Sequence, residues 1–154
     1  MGKDTKMNIY IATDFEHERF SIATSYKNKV IPLWYSKIFT NDYDYKKTPE
    51  TLLLSAASKS LFVISKIEQQ SNYANPFHII SDDPNLDSSM VNTLSKNEAR
   101  LKIDSAVVYS FGGPNLAKPY LEGTRFLKWQ EGVKNLLFEL SDEIQPEIIE
   151  DEPF

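Results

Sequence analysis

The sequence predicts an α/β fold in which helices pack on a mixed five-stranded sheet, three strands antiparallel and the last two parallel. The chain has 154 residues, 41% of them hydrophobic, which suits a single domain with its own core. Its first quarter holds three short runs of strand-forming residues joined by short turns. The rest alternates helical and strand patterns, which is typical of crossovers between parallel strands.

The first three strands are expected to form an antiparallel meander. They are predicted at 8–16, 20–27 and 30–39, and Asn28-Lys29 is the predicted tight turn between the second and the third. Pro32 lies inside the third run. Because proline cannot donate a ladder hydrogen bond, Pro32 predicts an edge strand or a bulge.

A helix is predicted from Thr48 to about Gln69. Thr48 suits the N-cap, Pro49 the first helical position, and Glu50 adds an acid to the first turn. The later elements are predicted as a strand at 77–81, a helix at 87–102, a strand at 106–111 and a helix at 121–140. The fourth strand is expected to be central and parallel to the first.

The net charge of −5 comes from the end of the chain. Residues 139–154 hold seven of the 22 acidic residues and no Lys or Arg, which leaves 15 acidic against 17 basic residues in 1–138. We predict a disordered leader at 1–6, one domain at 7–140 and a flexible acidic tail at 141–154 that can contact a protein partner. The chain lacks Cys, which favours a reducing compartment such as the cytoplasm. No apolar run approaches the roughly 20 residues that cross a bilayer, so no membrane contact is predicted.

Acidic residues stand at the ends of the predicted elements. Asp14 and Glu16 end the first strand, Glu50 begins the first helix, and Asp82 and Asp83 follow the fourth strand. If the first and fourth strands are neighbours, three or four carboxylates are expected to gather at one edge of the sheet. Clustered carboxylates repel one another unless a cation joins them, and Mg²⁺ or Mn²⁺ prefers such oxygen ligands.

In this order of elements the chain resembles ribonuclease H over roughly residues 7–140. The resemblance depends on IATDFE in the first strand, TPETLLLSAA at the helix start and HIISDD after the fourth strand. It implies that Asp14, Glu50 and Asp82 are catalytic and hold two Mg²⁺ or Mn²⁺ ions. The implied activity is hydrolysis of phosphodiester bonds in RNA, including the RNA of RNA–DNA hybrids. Further candidate metal ligands are Glu16, Asp83 and, as the fourth acid of the family near the last helix, Glu122.

The chain departs from the family at two places. The family usually has Asp-Gly-Ser where this chain has DFE at 14–16, and the GGP loop at 112–114 lacks the family's histidine. A catalytically inactive relative that binds a protein or a nucleic acid is therefore an open alternative. Another is a DEDD-type 3′–5′ exonuclease, whose opening Asp-x-Glu pattern matches Asp14 and Glu16 and whose third acid would be Asp87.

Aromatic and basic residues mix just before the first helix. Aromatic rings can stack on bases, and basic side chains can pair with phosphates. The candidate nucleic-acid-binding residues are accordingly Tyr43, Tyr45, Lys46 and Lys47. The two histidines are interpreted as a loop residue, His17, and a hydrogen-bonded core residue, His78.

Overall fold

The computed structural model describes residues 6–38, 48–86, 88–123 and 125–144. In this part of the chain, a mixed five-stranded sheet carries three α-helices on one face. The strands are β1 (Met7–Asp14), β2 (Arg19–Tyr26), β3 (Lys29–Lys37), β4 (Phe77–Ser81) and β5 (Val107–Phe111). The helices are α1 (Pro49–Gln70), α2 (Ser88–Leu101) and α3 (Trp129–Ile144), and Lys118–Leu121 forms a 3₁₀ turn.

The strands pair as the sequence predicts. β1, β2 and β3 form the antiparallel meander, β1 also pairs in parallel with β4, and β4 pairs in parallel with β5. The order across the sheet is β3-β2-β1-β4-β5. The hairpin turn between β2 and β3 lies at Lys27 and Asn28, one residue earlier than predicted. Both residues have positive φ, 53° and 65°, as a type I′ turn requires.

Pro32 lies in an edge strand beside a shift in register, as predicted. The pairing of β2 with β3 slips between Ile22 and Ala23, the latter opposite Pro32. Further along β3, Tyr35 and Leu127 exchange two backbone hydrogen bonds of 3.1 and 2.9 Å. The outer edge of β3 is therefore partly closed by a later segment of the same chain.

The two faces of the sheet are covered by different elements. Ile9 and Ile11 of β1 belong to the core cluster that includes the apolar residues of α1 and α3. Because strand side chains alternate, Ala12 faces the other way, where it packs with Ala117 and Leu121. The latter two belong to residues 112–123, which together with 125–127 cross back over the sheet from β5 to β3 and which we call the strap. The sheet thus has a helix side and a strap side.

Helix α1 begins where the sequence predicts. Thr48 Oγ1 accepts the backbone N–H of Thr51 at 3.1 Å, and Thr51 Oγ1 accepts that of Thr48 at 3.0 Å, a reciprocal cap. The 22 residues of α1 rise about 33 Å, more than the roughly 26 Å of the eight-residue β1. Neither α1 nor another described helix is long and apolar enough to cross a membrane.

The chain after β5 differs from the predicted helix at 121–140. It forms the 3₁₀ turn, crosses the strap side, and enters α3 only at Trp129, after which α3 continues to Ile144. Gly123 adopts φ 87°, a left-handed conformation that turns the chain instead of continuing a helix. The last four residues of α3 fall within the segment predicted as a tail, whose remainder lies outside the described residues.

Candidate functional site

A cleft of about 670 Å³ opens where β1 ends and β2 begins. The turn between these strands, the end of β3 and the strap form its walls. Its apolar lining comes from Leu121 and Phe126 of the strap. Its charged or titratable lining residues are Asp14, Glu16, His17, Glu18, Arg19, Lys37 and Glu122.

Asp14 is held by His17 within the turn. Its carboxylate contacts the ring Nδ1 of His17 at 2.8 Å and accepts the backbone N–H of His17 at 3.3 Å. Burial by itself would raise the pKa of Asp14, but the two hydrogen bonds and the charge of His17 outweigh it. The net result is a pKa below the usual range, so Asp14 is a carboxylate at neutral pH.

Replacing His17 with Ala is expected to raise the pKa of Asp14 toward its ordinary value, because the ring hydrogen bond and the electrostatic effect of His17 are lost. NMR titration of the Asp14 carboxyl carbon measures the change, with Lys37→Ala, in the same cleft, as the control that leaves this pKa in place. Because the folded-state pKa is depressed, the contact stabilises the fold above the ordinary Asp pKa. That stabilisation is lost as the pH falls through the depressed value. An Asp14 pKa indifferent to His17→Ala would contradict this role.

Arg19 is buried under the strap, with 6% of its surface exposed. Its Nη1 donates to the carbonyl of Gly123 at 2.5 Å, and its Nη2 donates to the carbonyl of Arg125 at 3.1 Å. The guanidinium carbon lies 5.2 Å from the ring centroid of Phe126, while Nε has no hydrogen-bond partner among the described residues. This cation therefore ties the strap to β2.

Asp82 lies half-buried directly after β4. Burial raises the pKa of its carboxyl group, although the charge of Lys118 and the backbone N–H groups of Asp82 and Thr13 partly offset this effect. Its Oδ1 is buried without a hydrogen-bond partner among the described residues. Asp82 is therefore an incompletely paired acid at the edge where β1 and β4 end.

The sheet lies between Glu50 and the other two predicted catalytic acids. Asp14 follows Ala12 by two residues and lines the cleft on the strap side. Asp82 is within electrostatic reach of Lys118, which also belongs to the strap. Glu50 is exposed in the first turn of α1, on the helix side.

Glu50 precedes the part of α1 whose Lys59 lies near the end of β1. Lys59 of α1 is 5.6 Å from the ring centroid of Phe20, and Phe20 pairs with Thr13, the residue before Asp14. Glu50 lies nine residues earlier in α1, about 13 Å along the helix axis. The structure brings Asp14 and Asp82 to the same side and leaves Glu50 apart.

Of the remaining predicted metal ligands, two line the cleft and one lies in the turn after β4. Glu16 and Glu122 line the cleft together with Asp14. Glu122 lies in the strap, however, and not near the start of the last helix as predicted. Asp83 accepts the backbone N–H of Asn85 at 2.9 Å in the turn after β4. Among the described residues, no three acidic or histidine side chains form a group that could hold a metal ion.

Five of the residues predicted to bind nucleic acid or metal lie outside the described residues. They are Tyr43, Tyr45, Lys46, Lys47 and Asp87. His78 is half-buried, its Nε2 lies 2.7 Å from Ser110 Oγ, and burial lowers its pKa. Arg19 was not among the predicted site residues, and its signal in the sequence is a charge directly before the predicted second strand.

Comparison with known proteins assigns no family to this geometry. No protein-family model matches the chain, and no curated protein sequence is significantly similar to it. The functional proposal therefore depends on the arrangement of the described residues.

Proposed function

We propose that this chain is a ribonuclease H-like domain that works as a binding module, with the cleft as the docking site for a basic segment of a protein partner. The family assignment is supported by the order of elements, β-β-β-α-β-α-β-α with a 3₁₀ turn before the last helix. It is also supported by the parallel pairing of β1 with β4, which brings the ends of these two strands to one edge.

The charge of the cleft is the observation that carries the binding proposal. Its lining includes four carboxylates, those of Asp14, Glu16, Glu18 and Glu122. Its two permanent cations, Arg19 and Lys37, do not balance these four charges, and Arg19 donates its hydrogen bonds to carbonyl groups of the strap. The cleft is therefore net negative toward a ligand.

The aromatic ring of Phe126 extends this complementarity. Phe126 lines the cleft and is 52% exposed. A Lys or Arg side chain placed there can pair with a carboxylate and also lie against a ring face. A phosphate backbone would instead meet negative charge, so the cleft favours a basic protein segment over a nucleic acid.

The described geometry does not favour hydrolysis by Asp14, Glu50 and Asp82 acting together. A two-metal site holds its ions about 4 Å apart, so its carboxylates must converge. The sheet lies between Glu50 and the other two acids. This placement supports a binding module over a pair of Mg²⁺ or Mn²⁺ ions shared by these three acids.

One observation favours a metal-dependent nuclease as the second candidate. Asp82 Oδ1 is buried without a partner among the described residues, and Asp82 lies on the same side of the sheet as Asp14 and Glu122. An ion held by these three would act as a Lewis acid on a phosphodiester of RNA or an RNA–DNA hybrid. This candidate requires the side chains of Asp14 and Asp82 to approach each other on binding.

Binding of a labelled peptide rich in Lys and Arg, followed by fluorescence anisotropy, tests the first candidate. We expect binding that weakens as ionic strength rises. Glu122→Gln is expected to weaken it about three- to tenfold because one carboxylate of the cleft is lost. Glu131→Gln, which removes an exposed acid in the first turn of α3, is the matched control and should bind like the unaltered protein.

The same preparation separates the two candidates. Labelled RNA and RNA–DNA hybrid are incubated with Mg²⁺ or Mn²⁺, with Asp82→Asn as the control. Cleavage that requires the metal and disappears in Asp82→Asn would establish the nuclease candidate. Peptide affinity that is the same in Glu122→Gln and Glu131→Gln would overturn the docking role of the cleft.

A further inference from the structure

Among the described residues, no strand pairs with the outer edge of β5. On its inner side, the backbone N–H of Phe77 donates to Ala106 O at 2.9 Å, and that of Gly112 donates to Ser81 O at 3.2 Å. Positions 106 and 112 therefore direct backbone groups toward β4. Because these directions alternate along a strand, the odd-numbered residues of β5 direct theirs away from the sheet.

Those outward residues are Val107, Tyr109 and Phe111. Their backbone N–H and C=O groups have no hydrogen-bond partner among the residues that the structure describes. Unpaired groups in a row along an edge are a template for another strand. The backbone at this edge is therefore ready to accept one.

Within the described part of the chain, the opposite edge of the sheet is protected and the β5 edge is not. β3 contains Pro32, has a Lys at each end and is bridged by Leu127, and such features obstruct strand addition. β5 has the sequence VVYSF, without a charge or a proline. Its Val108 and Phe111 side chains are 44% and 52% exposed.

We propose that β5 is a dimer interface, at which it pairs antiparallel with β5 of a second copy of this chain. A two-fold axis through Tyr109 sets Val107 of one copy opposite Phe111 of the other. Each outward residue then exchanges both of its backbone hydrogen bonds, giving roughly six across the interface. The two exposed Phe111 rings each gain an apolar neighbour in Val107.

The lack of charge in β5 is the reason for choosing a second copy as the occupant. In a two-fold interface residue i contacts residue j and residue j contacts residue i, so a strand with charges of one sign would bring like charges together. β5 carries no charge that could do so. Because the β3 edge is protected, the assembly ends at two copies instead of growing into a fibre.

Sedimentation equilibrium of the full chain across a range of concentrations tests the interface. We expect the mass to approach that of a dimer, with the amide of Tyr109 protected from hydrogen exchange as the dimer forms. Phe111→Pro removes an outward N–H that β4 does not use and is expected to raise the dissociation constant at least about tenfold. Phe111→Ala keeps that N–H and should weaken the dimer less.

Val108→Lys provides a second variant that does not alter the backbone. It places a cation on an exposed position of each β5, so the dimer is expected to weaken at low salt and partly recover at high salt. Circular dichroism checks that both variants remain folded. A protein that stays monomeric at millimolar concentration, or a dimer unaffected by both Phe111→Pro and Val108→Lys, would overturn the proposal.

Discussion

Gly132→Ala is expected to destabilise the protein by about 2–3 kcal/mol. In α3, Gly132 lies directly against the backbone of β3. A Cβ atom at this position would lie 2.0 Å from Leu33 O and 2.5 Å from both Leu33 C and Leu33 Cα. These are backbone atoms of a fully buried residue, which cannot move aside as a flexible side chain can. The helix must therefore shift away from the sheet.

Whether Gly132→Ala lowers or raises the free energy of unfolding tests the packing of α3 against β3. Inside a helix, replacing Gly with Ala ordinarily stabilises by about 1 kcal/mol, because Gly has a high backbone entropy when unfolded. Urea unfolding monitored by circular dichroism measures the change. Lys134→Ala, at an exposed position two residues further along α3, is the control and should stay within about 0.5 kcal/mol. If Gly132→Ala were stabilising, α3 would not approach β3 this closely.

The order of strands and helices was predictable because its signals are local. Thr48-Pro49 marks the start of α1, and a short, mainly apolar run marks β4 at Phe77–Ser81. The path of the strap was not predictable, because distant contacts determine it. Ser21 Oγ donates to Ala117 O at 2.5 Å, and Leu127 pairs with Tyr35. The apolar residues at 121–140 fit a helical period equally well, so periodicity alone extended the last helix too far.

The position of the acids along the chain was predictable, but not the side of the sheet that they occupy. Asp14 is the last residue of β1, and a change of one position in a strand reverses the face. β1 buries Ile11 on the helix side and Ala12 on the strap side. Because β1 carries apolar residues on both sides of the sheet near its end, the sequence pattern does not show which side packs against α1. Glu50 and Asp14 were therefore expected together, and the structure has Glu50 in a helix of the helix side and Asp14 in the cleft on the strap side.

Arg19→Met is expected to destabilise the fold by about 2–3 kcal/mol, because two carbonyl groups of the strap lose their charged donor. Met keeps an apolar stem of similar length beneath Phe126, so the loss reports mainly on the hydrogen bonds to Gly123 and Arg125. Removing the unpaired, buried Nε offsets a part of that loss. Urea unfolding gives the free energy, and hydrogen exchange of the strap amides locates the weakened region.

Arg125→Met is the matched control for Arg19→Met. Arg125 has an exposed side chain, and only its backbone carbonyl takes part in the contact, so the same charge is lost while both hydrogen bonds remain. We expect its stability to stay within about 0.5 kcal/mol of the unaltered protein. The strap forms one wall of the cleft, so loosening the strap in Arg19→Met should also weaken binding of the basic peptide. This effect is indirect, because the guanidinium is bonded to the strap. Equal stabilities of the two variants would show that Arg19 does not hold the strap in place, and the cleft would then need another support.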